Sequence, residues 1–68
     1  MADEQKLYND VLGYMEQRKR EGEPTISIEM IQRKFLIGYS PVARLMDRLE
    51  AEGRVGRYNG SKPRGILK

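Results

Sequence analysis

The clearest pattern in the chain lies between positions 40 and 53. Val42, Leu45, Met46 and Leu49 fall at i, i+3, i+4 and i+7 and form one apolar stripe. At about 100° per residue, Ser40, Arg44, Asp47, Arg48 and Ala51 project from the other side. This spacing predicts a helix over 41–52. Ser40 is its expected N-cap and Pro41 its first residue, where the missing N–H costs nothing. Gly53 closes it.

Two further helices precede it. Leu7, Val11, Leu12 and Met15 make a stripe at i, i+4, i+5 and i+8, which predicts a helix over 3–20. Asp3 and Glu4 stand in its first turn and Arg18, Lys19 and Arg20 in its last, the order that the helix dipole favours. Gly13 lowers its propensity by about 1 kcal/mol relative to Ala. The segment Glu21-Gly22-Glu23-Pro24 ends it. A helix over 28–36 follows, with Ser27 as N-cap, Glu29 in the first turn and Ile28, Ile31 and Phe35 toward the core. Gln32, Arg33 and Lys34 point at least partly outward, and Gly38 supplies the left-handed residue at the exit.

The hydrophobic period weakens after Gly53. Val55 and Ile66-Leu67 anchor two short strands around the turn-forming Asn59-Gly60-Ser61-Lys62, and Pro63 belongs in the turn or at an edge. Gly60 is available for positive φ, whereas the weak alternation leaves the direction of Tyr58 undecided. Thr25-Ile26-Ser27 is β-branched enough to add a strand to this hairpin. The expected fold is α+β: a winged helix-turn-helix over 1–68, with three helices packed against a small antiparallel β-hairpin wing over 54–68.

Composition narrows the function. The 68 residues allow one domain, and a chain of this size buries only roughly 60% of the surface that its unfolded form exposes. There is no Cys and no His, which excludes a disulfide or a zinc staple; no cofactor is expected. No apolar run approaches the roughly 20 residues of a membrane span, and the polar MADEQK start is unlike a secretory signal. A cytoplasmic location without membrane contact is the default. Phosphate-loop, nucleophile and metal-ligand patterns are missing, so no enzymatic activity is expected of these residues.

Net charge is +3, unevenly spread. Residues 1–24 carry four Lys/Arg against six Asp/Glu, and residues 25–68 carry nine against four. The basic excess therefore coincides with the helix-turn-helix and wing, where a nucleic-acid surface requires it. Arg44 and Arg48, one turn apart, can reach base edges or phosphates from one groove of duplex DNA. Ser40 and the amides at the helix start suit a phosphate. Arg33 and Lys34 from the second helix, and Arg57, Lys62 and Arg64 from the wing, bracket the duplex through its backbone. The same Arg44 and Arg48 also suit ion pairs with Asp47 or Glu52 on a solvated helix.

Three stretches resemble a known family. Gln32-Arg33-Lys34-Phe35-Leu36-Ile37-Gly38-Tyr39 is similar to a segment QR-x-F-x-IGY, Ser40 to Gly56 to a helix of the type NRAARLIDEMEAxGxVG, and Gly60-Ser61-Lys62-Pro63-Arg64 to GSKPR. All three mark the C-terminal gamma domain of the FtsK/SpoIIIE bacterial DNA translocases, and LYNDVLGYM resembles that family's opening segment. The resemblance implies a winged helix that recognises short, skewed orienting sequences and directs an attached hexameric motor; some members contact a Xer recombinase. Ser40, Pro41 and Arg44 lie where the family presents an Asn, an Arg and a second Arg to DNA, so Arg44 is retained and Pro41 cannot donate. Walker motifs are absent from these residues, which assigns any motor to another domain or chain, tethered at a membrane where that translocase is anchored. Two other readings stay open. One is a protein-interaction winged helix, favoured by the acidic Asp47 and Glu50 on the third helix, and the other is a small stand-alone DNA-binding regulator.

Overall fold

A computed structural model describes residues 4–60 and 62–68. Among these, helices α1 (Glu4–Arg20), α2 (Ile28–Phe35) and α3 (Tyr39–Ala51) pack around one core, with strands β1 (Thr25–Ile26) and β2 (Arg64–Gly65) along one side. The core joins Tyr8, Val11 and Met15 of α1 to Ile31 of α2 and to Val42, Leu45, Met46 and Leu49 of α3. Ile26 and Val55 close it from the strand side. The arrangement is the expected α+β winged-helix type.

Each helix keeps the apolar face that its spacing implies. On α1 the stripe centres on Tyr8 rather than on Leu7 and Leu12, which are only partly buried. Tyr8 can occupy the core because its hydroxyl has an outlet, donating to the Glu52 carboxylate. On α2 only Ile31 is fully buried, and Phe35 meets Tyr14 of α1 edge-to-face at 5.9 Å between ring centroids. Ser27 caps α2 as expected, its hydroxyl accepting from the Met30 amide at 3.2 Å.

The junction between α2 and α3 departs from expectation in two ways. The left-handed residue is Leu36 (φ 56°), not Gly38, which is extended at φ −68° and ψ 168°. With Leu36 left-handed, the Ile37 amide turns back to the Gln32 carbonyl at 3.3 Å, beside the helical Leu36 amide at 2.8 Å, and the helix ends. The Leu36 side chain is almost fully exposed.

Gly38, not Ser40, is the N-cap of α3, and no side chain caps the helix start. Pro41 is therefore the third helical residue. The third position tolerates proline because the amides of a first turn lack intrahelical acceptors, although it holds the preceding Ser40 in a helical conformation that proline disfavours. At the other end Glu52, Gly53 and Arg54 leave α3 through a Schellman turn. The Arg54 amide donates to Leu49 and the Gly53 amide to Glu50, with Gly53 at φ 72°.

The wing is less regular than a hairpin. β2 pairs with β1 antiparallel, Thr25 opposite Gly65 and Ile26 opposite Arg64. On its other edge the same segment meets residues 54–56 through the Val55–Ile66 bridge, the Gly56 amide to the Gly65 carbonyl at 2.9 Å and the Leu67 amide to the Arg54 carbonyl at 2.8 Å. The chain around β2 thus lies between two partners, and 57–60 with 62–63 belong to the wing tip. Leu67, expected as an anchor beside Ile66, is largely exposed because alternation sends it to the solvent face. Asp3 and Ser61 of the expected helix and turn lie outside the described residues.

Candidate nucleic-acid interface

The exposed side of α3 carries Ser40, Arg44, Asp47, Arg48 and Ala51, as the stripe on its opposite side requires. The two arginines are not bare. The Arg44 guanidinium reaches Glu4 of α1 at 3.2 Å, with both side chains mostly in solvent. Arg48 lies over the Tyr8 ring, 3.7 Å from its centroid, while its Nε donates to Glu52 at 3.2 Å. Glu52 also receives the Tyr8 hydroxyl and Arg54, the latter at 3.5 Å. The Tyr8 hydrogen bond, reinforced by Arg48 and Arg54, holds the Glu52 carboxyl below its ordinary pKa. Arg44 is joined by one exposed contact of the kind worth at most about 1 kcal/mol, which a phosphate can replace. Arg48 is restrained by ring, carboxylate and helix geometry together.

Pro41 is half-buried beside Leu7 and Leu45, between α3 and the start of α1. Ser40 is exposed next to it, in the first turn. On the wing, Arg57 and Lys62 are exposed, and among the described residues no carboxylate pairs with either.

Arg64 does not join them. Its side chain is 5% exposed, with Nη1 donating to Glu50 of α3 at 3.0 Å and to the Gly56 carbonyl at 3.4 Å. A guanidinium so enclosed must have its charge and donors satisfied within the protein, so Arg64 ties the wing to α3 instead of meeting a duplex. The expectation of a phosphate contact here is corrected on that ground.

The residues expected from α2 divide between two faces. Gln32 faces α3, its amide donating to the Ile37 carbonyl at 3.4 Å, and borders a cleft that also reaches Tyr39 and Lys62. Arg33 and Lys34 instead border a shallow depression with Tyr14, Arg18 and Met30, on the α1 side. Arg33 pairs with Glu29, which borders the cleft, at 3.0 Å, and the Lys34 ammonium sits 5.3 Å from the Tyr14 centroid. Ser40, Arg44 and Arg48 are thus brought together on α3, Gln32 and Lys62 line a neighbouring cleft, and Arg33 and Lys34 stand apart. Sequence spacing gave no sign of Tyr39 and Tyr58, both largely exposed beside α3 and the wing. The basic and aromatic interleaving of Arg57-Tyr58 was the available signal.

The model of the Ftsk gamma domain family matches residues 2–68. The chain belongs to the FtsK gamma domain family. Among its relatives, the DNA translocase SpoIIIE of Bacillus subtilis is 54% identical over 46 residues, which cover 68% of this chain and 6% of that protein. The DNA translocase FtsK of Halalkalibacterium halodurans is 44% identical over 62 residues, 91% of this chain and 7% of the relative. That of Clostridium acetobutylicum is 40% identical over 66 residues, 97% of this chain and 8% of the relative. The gamma domain described here therefore spans less than a tenth of the length of these translocases. No solved structure matches the chain significantly. Among the described residues no helix is long and apolar enough to cross a membrane, and no cluster of acidic residues could hold a metal.

Proposed function

We propose that this gamma domain binds duplex DNA through the exposed side of α3 and the wing tip, reading short orienting sequences for a translocase motor held in cis or in trans. The observation that carries the reading is the grouping of Ser40, Arg44 and Arg48 on one solvent-facing side of α3, with Lys62 of the wing across a cleft from the start of that helix. Arg44 is the base reader. Its fork matches the O6/N7 acceptor pair of guanine, and Glu4 is its only carboxylate partner among the described residues. Ser40, Lys62 and Arg57 contact phosphates and set the register. Pro41 packs and donates nothing. The work is done in the cytoplasm, where the chromosome is.

Titration of labelled duplexes carrying the family's orienting sequence, and of scrambled controls, over a range of salt tests the reading. Tighter binding to the orienting sequence is expected, with log affinity falling against log salt at a slope of about −5 if six phosphates are contacted. Arg44→Ala is expected to cost about 1–3 kcal/mol and to relax the sequence preference. Equal binding to both duplexes would sink the orienting role, and absence of salt-dependent binding would sink DNA recognition itself.

A second reading rests on the separate depression formed by Tyr14, Arg18, Arg33 and Lys34. Its lining of cations and the Tyr14 ring suits a protein partner, and a Xer-type recombinase is the partner that the family resemblance implies. Chemical-shift changes confined to these residues on adding such a recombinase would support it.

A further inference from the structure

A cleft of about 330 Å³ opens between the first turn of α2, the first turn of α3 and the wing tip. Its lining includes Tyr39 and Tyr58, 60% and 63% exposed, together with Gln32 and Lys62. From these features we propose that the cleft seats one sugar–phosphate strand of the duplex, with the Tyr39 and Tyr58 hydroxyls donating to phosphate oxygens and Lys62 supplying the charge. The proposal rests on the DNA reading above and extends it to a site between the two elements.

Three observations carry it. The first is electrostatic. Of the charged side chains that border the cleft, Glu29 has an exposed partner in Arg33 at 3.0 Å and Arg64 is engaged by Glu50 at 3.0 Å, whereas among the described residues no ion pair engages Lys62. The rim is left with an uncompensated cation and two neutral donors, which suits an anion.

The second concerns the tyrosines. Neither ring is used to fill the core, and a phenol left mostly in water gains little by its ring alone. Tyr58 is nevertheless positioned, because the Arg64 guanidinium lies 5.3 Å from its ring centroid and is itself fixed by Glu50. An ordered hydroxyl at the edge of a cleft is a preformed donor.

The third is continuity. One wall of the cleft is the start of α3 and the other is the wing tip. A duplex that receives α3 in its major groove carries the neighbouring backbone strand past the side of that helix, toward whatever lies next to it. Here that is the cleft. An acidic peptide would meet the same cation, but it has no reason to track the two walls that flank it.

Fluorescence anisotropy with orienting and scrambled duplexes decides the matter, using Tyr39→Phe, Tyr58→Phe and Lys62→Ala. Each phenylalanine variant removes one exposed oxygen and leaves the packing intact. The expected result is an affinity loss of about 3- to 10-fold for each, equal on both duplexes, with the salt slope unchanged because the lost donor is neutral. Lys62→Ala is expected to reduce the slope by about 0.9. Full affinity in both phenylalanine variants would overturn the proposal while leaving the DNA reading standing. A loss confined to the orienting duplex would also overturn it, since that is base readout. Failure of the unaltered protein to bind any duplex would overturn the DNA reading and this proposal together.

Discussion

The two flanks of α3 hold arginine–glutamate pairs of nearly equal length in different surroundings. On the wing flank, Arg64 meets Glu50 at 3.0 Å with the side chains 5% and 39% exposed. On the α1 flank, Arg44 meets Glu4 at 3.2 Å with the side chains 63% and 72% exposed. Distance does not separate them; water does. A buried guanidinium that loses its carboxylate has no solvent to fall back on, whereas an exposed one exchanges one set of partners for another at little cost. The first pair is therefore architecture and the second is available for binding.

The largest effect that can break this comparison is expected from Glu50→Ala. It leaves the Arg64 charge with only the Gly56 carbonyl and should lower the unfolding free energy by about 1–3 kcal/mol. That is a large fraction of the total for a domain of this size. Urea titration followed by circular dichroism measures it. A loss below about 0.5 kcal/mol would place Arg64 among ordinary surface arginines and revive it as a DNA contact.

Next in size is the pH response of the α1 flank. Because the Tyr8 hydroxyl, with Arg48 and Arg54, lowers the Glu52 pKa in the folded state, its ionised form is favoured by folding. That contribution is complete above the ordinary carboxylate pKa and is lost as pH falls through the lowered value. Thermal unfolding of the native chain and of Glu52→Gln should thus differ at neutral pH and converge in acid. Curves that coincide at all pH values would show that Glu52 holds Arg48 without contributing to stability.

The smallest effect sharpens the comparison from the other side. Glu4→Gln should change stability by less than about 0.5 kcal/mol, yet it releases Arg44 and should raise duplex affinity about 2-fold. Unchanged or weaker binding would mean that Glu4 orients Arg44 rather than competing with the phosphates.

Much of this arrangement was legible in the sequence. The stripe Val42, Leu45, Met46 and Leu49 is fully buried, and the five residues assigned to the opposite side are all exposed. Ser27 caps α2, and Thr25-Ile26 does become a strand. What was missed depends on contacts between residues far apart in the chain. Arg64 reads as one more cation in a basic run until Glu50, fourteen positions earlier, is folded against it. Tyr8 sits beside an apolar stripe and joins the core only because Glu52, forty-four positions later, accepts its hydroxyl. The start of α3 was misplaced for a local reason, since Pro41 is tolerated at the third helical position as well as at the first.

The placement of β2 has a consequence for change in the wing. With 64–67 held on both edges, by 24–26 on one side and 54–56 on the other, the wing tip is a loop closed from below. Lengthening it costs little, only about 0.6 kcal/mol for each doubling of a flexible loop. Sliding β2 by one residue is another matter. It would turn Gly65 toward the interior and carry Arg64 away from Glu50 into solvent, because side chains alternate along a strand. The wing tip can thus vary in length among relatives, and so in reach, while the two residues beneath it cannot shift.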